Sequence, residues 1–150
     1  MIEETLKRTF GFDTFKPGQR QVIEKITAGK SAVSIFPTGA GKSLCYQLPA
    51  ILEPGMTLVV SPLLSLMKNQ IDFLESKQIP AAKLDSGMSA RDYRETLEAA
   101  RTGQLKILMI AVERFKNERF RTQLRQMNVS LLVVDRSEER RVGKECATGC

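Results

Sequence analysis

The chain has 150 residues, 42% of them hydrophobic and 27% charged, the length and balance of one globular domain with room for a sizeable core. It contains no histidine, which excludes a Ser-His-Asp triad, a Cys-His pair and histidine-based zinc sites and leaves chemistry to Lys, Ser, Asp and a metal ion. The net charge of +6 suits an anionic partner, although a basic solvated surface is equally common. Leaving out residues 136–150 keeps 19 basic against 14 acidic side chains, so the basicity belongs to the main body. The three cysteines, Cys45, Cys146 and Cys150, show neither disulfide nor zinc spacing. The first ten residues carry Glu3 and Glu4 without an apolar core, and runs such as 107–112 are too short to span a membrane, so a cytoplasmic location is expected.

In chain order, the block Phe10-Gly11-Phe12-Asp13-Thr14-Phe15-Lys16-Pro17-Gly18-Gln19 precedes a predicted strand at 32–36. Next comes Phe36-Pro37-Thr38-Gly39-Ala40-Gly41-Lys42-Ser43, followed by a helix-compatible stretch at 42–48. Strand, loop and helix in that order form a phosphate-binding loop. Gly39 and Gly41 let backbone N–H groups turn toward phosphate oxygens, and the start of the helix adds its unpaired N–H groups and positive dipole end. Lys42 would place its ammonium on the β and γ phosphates, and the Ser43 hydroxyl would ligate Mg²⁺, a hard cation that prefers oxygen. Phe36 stands where the general pattern has its first glycine. Gly-Lys-Ser also arises by chance in loops, but the matched flanks favour the phosphate-binding reading.

Further strands are predicted at 57–61, 81–84, 106–111 and 131–135, with helices at 62–77, 90–101 and 115–127. The first of these helices carries Leu63, Leu66, Met67, Ile71 and Leu74 on one face. Continuous apolar runs in three of the strands indicate burial on both faces, and the alternation predicts an α/β fold with a parallel sheet. The strand 131–135 ends in Asp135, 93 residues after Lys42. A strand ending in Asp is more often structural, but beside a phosphate loop the carboxylate reads as a second Mg²⁺ contact opposite Ser43. Ligands in such sheets gather beyond the carboxyl ends of the strands, where the phosphate loop, Ser61, Ala111 and Asp135 fall.

The form Pro-Thr-Gly-x-Gly-Lys-Ser is that of superfamily 2 helicases, and the chain resembles the RecQ family of ATP-dependent DNA helicases. The matching blocks are residues 10–19, residues 37–50, Ser61-Pro62-Leu63-Leu64-Ser65-Leu66-Met67-Lys68-Asn69-Gln70, Arg101-Thr102-Gly103-Gln104, Glu113-Arg114 and the strand ending at Asp135. The resemblance implies a P-loop NTPase, RecA-like parallel sheet flanked by helices and incomplete at its C-terminal side, formed by residues 1–135. It implies ATP bound by Phe12 stacking on adenine, Lys16 beside the base, Gln19 reading the base edge, and Thr38, Gly39, Ala40, Gly41, Lys42 and Ser43 around the phosphates. Lys42 and Asp135 become the catalytic residues, and Ser43 and Asp135 the Mg²⁺ contacts. Single-stranded and partly duplex DNA becomes the partner, met by Ser61, Ser65, Lys68, Ser86 and Arg114, with unwinding in the 3′ to 5′ direction. Val112 stands where the family has proline. The residues themselves permit these roles, since a Gln amide matches the donor and acceptor of adenine and aromatic faces stack on bases. They also permit plainer ones: Phe10 and Phe15 read as core, the helix after Ser61 as a capped amphipathic helix, and the run Arg114, Lys116, Arg119, Arg121, Arg125 as a solvated face.

After Asp135 the family continues Glu-Ala-His, whose Glu polarises the attacking water, whereas this chain continues Arg136-Ser137-Glu138-Glu139-Arg140-Arg141. The peptide 136–146 is the first-frame translation of a common short-read sequencing adapter, so 136–150 is expected to be a non-native tail. The hydrolytic base is then absent, and the chain is expected to bind nucleotide and DNA without efficient hydrolysis. In the family the strand after the Asp135 strand lies between it and the phosphate-loop strand. The sheet is therefore expected to lack that strand and to leave backbone groups unpaired there.

Overall fold

In the computed structural model, residues 2–34, 43–61, 67–85, 87–134 and 146–148 are described. The elements run α1 (Ile2–Thr5), a π-helical turn (Leu6–Phe10), α2 (Gln19–Thr27), β1 (Ala32–Ser34), α3 (Leu44–Leu52), β2 (Met56–Val60) and α4 (Met67–Ser76). They continue with β3 (Ala81–Leu84), α5 (Ala90–Arg101), β4 (Ile107–Ile110), a 3-10 turn (Val112–Lys116), α6 (Glu118–Leu124), β5 (Val129–Val134) and β6 (Cys146–Thr148).

The sheet order is β1-β6-β5-β2-β4-β3. Its body is parallel: β2 pairs with β4 and β5, and β3 with β4, in a register that sets Val60 beside both Ile110 and Val134. The carboxyl ends of these four strands consequently share one edge. Every residue of β2 and β4 is buried, as parallel strands covered on both faces require. Alternate side chains divide the core between two helical layers. Val59, Ile107, Met109, Leu131 and Val133 pack with residues of α2, α3 and α4. Leu58, Val60, Leu108 and Ile110 pack with Leu97 and Ala100 of α5 and Phe120 of α6.

Four expectations are corrected. The helix expected at 115–127 is two pieces, because Asn117 leaves the helical region (φ −85°, ψ 116°) and its side chain accepts the Phe120 N–H at 3.0 Å, capping a new start. The helix after the phosphate loop continues to Leu52; the helix expected at 62–77 is present over Met67–Ser76, and residues 62–66 lie outside the described residues. A helix that the hydrophobic pattern had not assigned, α2, follows Gln19. Finally, the place between the strand of Asp135 and the phosphate-loop strand is filled: β6 runs antiparallel to both, Ala147 lying opposite Val33 on one side and Val134 on the other. Unpaired ladder groups on β1 and β5 are a strong template for any available extended segment, and three residues of the tail meet it.

Candidate functional site

Pro17 and Gly18 turn the chain into α2, Gly18 at φ 87° where a side chain would be strained. The turn buries Gln19 to 3% exposure at the first position of the helix. Its Oε1 accepts the Lys16 N–H at 2.7 Å, and its own N–H donates to the Lys16 carbonyl at 3.1 Å. The bond to Oε1 orients the Gln19 side-chain amide, and the backbone bond holds the turn that presents it. Burial separates the three aromatic residues of the block. Phe10 is 3% exposed and stacks on Phe73 with ring centres 6.4 Å apart, Phe15 packs against the core, and Phe12 is 50% exposed. Lys16 is exposed beside them.

Helix α2 packs on α3, and Ser43 stands at the head of α3 in helical geometry, half-buried, with no side-chain capping bond. A cavity of about 300 Å³ lies between the segment of Phe10 and Phe12, the head of α3 and α4, lined by Phe10, Phe12, Ser43, Gln47, Gln70 and Phe73. Tyr46 ties α3 to α4 by donating its hydroxyl hydrogen to Gln70 Oε1 at 2.6 Å. Burial pushes the Cys45 thiol up to about 12, so it is a neutral core group. Gln47 and Gln70 lie within sequence blocks that were read as motifs, yet only the packing of α3 on α4 puts them around one cavity.

The residues expected on the nucleic-acid rim are brought only partly together. Ser61 follows β2, is buried, and donates its N–H to the Ile110 carbonyl at 3.0 Å. Arg114 follows the neighbouring strand β4 and donates to the Asp85 carbonyl at 2.8 Å, with its guanidinium 4.8 Å from the centre of the Tyr93 ring. Both lie at the carboxyl edge. Lys68 belongs to α4 on the other layer, exposed and paired with Asp72 at 3.1 Å. Tyr93, which supports Arg114, carried no sequence signal because it belongs to no motif block. The Asp85 carboxyl is held below the usual range, first by its hydrogen bond from Lys83 and also by the Gly87 N–H. Thr38, Gly39, Ala40, Gly41, Lys42, Ser65, Ser86 and Asp135 lie outside the described residues.

The model of the DEAD/DEAH box helicases matches residues 16–143. The chain belongs to that family. Within it, the segment resembles the N-terminal motor domain of the RecQ helicases. It is 44% identical over 135 residues to ATP-dependent DNA helicase Q-like 5 of Arabidopsis thaliana, covering 89% of this chain and 15% of that protein. It is 41% identical over 130 residues to ATP-dependent DNA helicase RecQ of Synechocystis, covering 87% and 27%. A solved structure described as a hypothetical ATP-dependent RNA helicase from Sulfolobus tokodaii superposes with a TM-score of 0.67 at 21% identity, covering 89% of this chain and 40% of that one; this likeness concerns the fold. The RecA-like architecture expected from the sequence is thus present, and the chain spans well under a third of the length of these two curated relatives. Among the described residues no helix is long and apolar enough to cross a membrane.

Family membership implies a capacity to bind ATP and Mg²⁺. The one described candidate, the Ser43 hydroxyl, fits such an ion, being an oxygen donor not committed to capping α3. Among the described residues no cluster of three or more His, Cys, Asp or Glu is found. Ser43 and Asp135, with phosphate oxygens and water, would hold the ion.

Proposed function

We propose that the chain is the ATP-binding part of the first motor domain of a RecQ-like helicase whose full-length protein couples Mg-ATP hydrolysis to 3′ to 5′ unwinding of DNA. The observation that carries this reading is the fixed, buried amide of Gln19 on the helix that packs against α3, the helix opening directly after Ser43. On this reading base recognition and phosphate binding would be served by two helices that pack on each other. Gln19 would read the adenine edge, Phe12 would cover the base, Lys16 would lie beside it, and residues 38–43 would cradle the phosphates. When bound, Mg²⁺ supplies charge neutralisation on the β and γ phosphates. Lys42 would add a fixed positive charge where negative charge develops during phosphoryl transfer, and Asp135 would orient the metal shell. Ser61, Ser65, Lys68, Ser86 and Arg114 would meet single-stranded DNA, or the single-stranded part of a partial duplex, through its backbone.

For these 150 residues taken alone, a nucleotide- and DNA-binding module without efficient turnover is favoured, because residue 136 is Arg where the family has the Glu that activates water. A positive guanidinium cannot accept the proton of that water. We further propose that residues 136–150 are not native and that the gene continues Glu-Ala-His after Asp135. Re-reading the source DNA through the Asp135 codon from a distant downstream primer tests the second proposal, and a genomic Arg codon at 136 refutes it. Titration with labelled ATP and Mg²⁺ tests the first. The chain is expected to bind ATP over GTP with negligible single-turnover cleavage, and equal affinity for the two nucleotides would remove the Gln19 role.

A further inference from the structure

On the layer opposite the Gln19 element, α5 and α6 leave an open trough. A cavity of about 610 Å³ begins beside Asp85 at the carboxyl edge of the sheet and passes the first turn of α5, Tyr93, Arg94, Arg114 and Arg119. Arg94 and Gln123 also line a further depression of about 270 Å³ that reaches Arg101 and Gln126. The trough therefore runs from the strand ends down the flank of the molecule.

Its charge is mainly positive, and Glu98, the carboxylate of the smaller depression, is paired with Arg101 at 2.5 Å. The side chains of Arg94 and Arg119 are exposed and make no hydrogen bond or ion pair with the described residues. On the same helix as Arg94, by contrast, Arg91 is engaged by Glu95 and Arg101 by Glu98. Among the described residues lining the larger cavity, the single carboxylate is Asp85, and Lys83 pairs with it at 3.1 Å. Asp92, in the first turn of α5, gives its N–H to the Ser89 side chain and does not line the cavity. The start of this 12-residue helix, with its positive dipole end, opens onto the trough through Ser89 and Ala90. Arg114 is held in place over Tyr93 and marks where trough and strand-end rim meet.

We propose that this trough is a second track for the sugar-phosphate backbone of a nucleic-acid strand, with Arg94 and Arg119 as its cationic contacts. The inference rests on the DNA-binding reading of the rim and extends it: a strand leaving Ser61 and Arg114 would next meet Arg94 and Arg119 in the trough over α5 and α6. Exposed arginines on helix faces hold phosphates without reading bases, which suits an enzyme that moves along any sequence.

The test is fluorescence anisotropy of the full 150-residue chain with labelled oligothymidine over a salt series. Two lost phosphate contacts at about 0.7 each should lower the slope of log affinity against log salt by about 1.4 in the R94A/R119A double variant. Affinity at fixed moderate salt should fall about tenfold, while R94K/R119K, which keeps the charges, should return the slope. Both residues are exposed, and unchanged circular dichroism would show that folding is intact. Wild-type binding with an unaltered slope in R94A/R119A overturns the trough and leaves the rim reading standing. A wild-type chain that does not bind oligothymidine at low salt overturns both. Loss of binding to inorganic phosphate at matched ionic strength shows a site for free anions and overturns the strand assignment.

Discussion

The Gln19 element and the trough of Arg94 and Arg119 lie on opposite layers of one sheet and differ in almost every physical respect. Gln19 is 3% exposed, and its amide is oriented by the backbone of Lys16; Arg94 and Arg119 are exposed and unrestrained by neighbours among the described residues. The difference follows from what each would recognise. Telling adenine from guanine depends on a donor and an acceptor in fixed places, so the group must be buried and held. Holding a phosphate backbone depends on charge, which acts at some distance and from many directions, so a solvated arginine suffices. A fixed motif marks the first kind of site in the sequence, and an unpaired cation in a trough marks the second in the structure.

The comparison can be broken at several points. The largest effect is expected for Phe120→Ala: this ring is fully buried between α6 and the sheet, and its loss should cost about 3–5 kcal/mol in urea unfolding. A cost near zero would mean that α6 is not anchored and that the trough has no stable wall. Next, Gln19→Ala should weaken ATP binding by about 1–3 kcal/mol and abolish the preference over GTP, measured by competition titration. Ser89 caps α5 through the Asp92 N–H at 3.0 Å, so Ser89→Ala should cost about 1 kcal/mol of stability. Lys68 is exposed and already paired with Asp72; its replacement by Ala should change the salt slope for oligothymidine by about 0.7 or less and leave stability within about 0.5 kcal/mol.

Smallest at neutral pH is the effect of Cys45, whose thiol is raised from 9.0 to about 12 by burial. The folded state binds that proton more tightly than the unfolded state, so the contribution is fully present below about 9 and is lost as pH rises toward 12. In alkylation mapped by mass spectrometry at mildly alkaline pH, Cys45 should remain unlabelled until denaturant is added. Labelling of the native chain would show that α3 opens readily.

Much of this arrangement was legible along the chain because its causes are local. Runs such as Ile107-Leu108-Met109-Ile110 announce a strand buried on both faces, and the phosphate loop and the Gln19 block are contiguous. The break at Asn117 was harder to see, because the basic and apolar spacing from 115 to 127 reads as one helix; only a side chain turning back to cap Phe120 divides it. The antiparallel insertion of β6 was not legible at all. Its sequence has no strong strand pattern, and its placement answers unpaired backbone groups on β1 and β5, strands more than ninety residues apart in the chain.

By itself the sequence determined the alternation of helix and strand, the family resemblance and the residue types available to hold nucleotide and phosphate, because periodicity, turn chemistry and motif spacing act over a few residues. Only the tertiary structure decided the strand order β1-β6-β5-β2-β4-β3, the packing of α2, which opens at Gln19, on α3, and the trough that gathers Arg94, Arg114 and Arg119. Those features depend on which buried faces and which unpaired backbone groups meet across long stretches of chain, and residue spacing alone does not specify that.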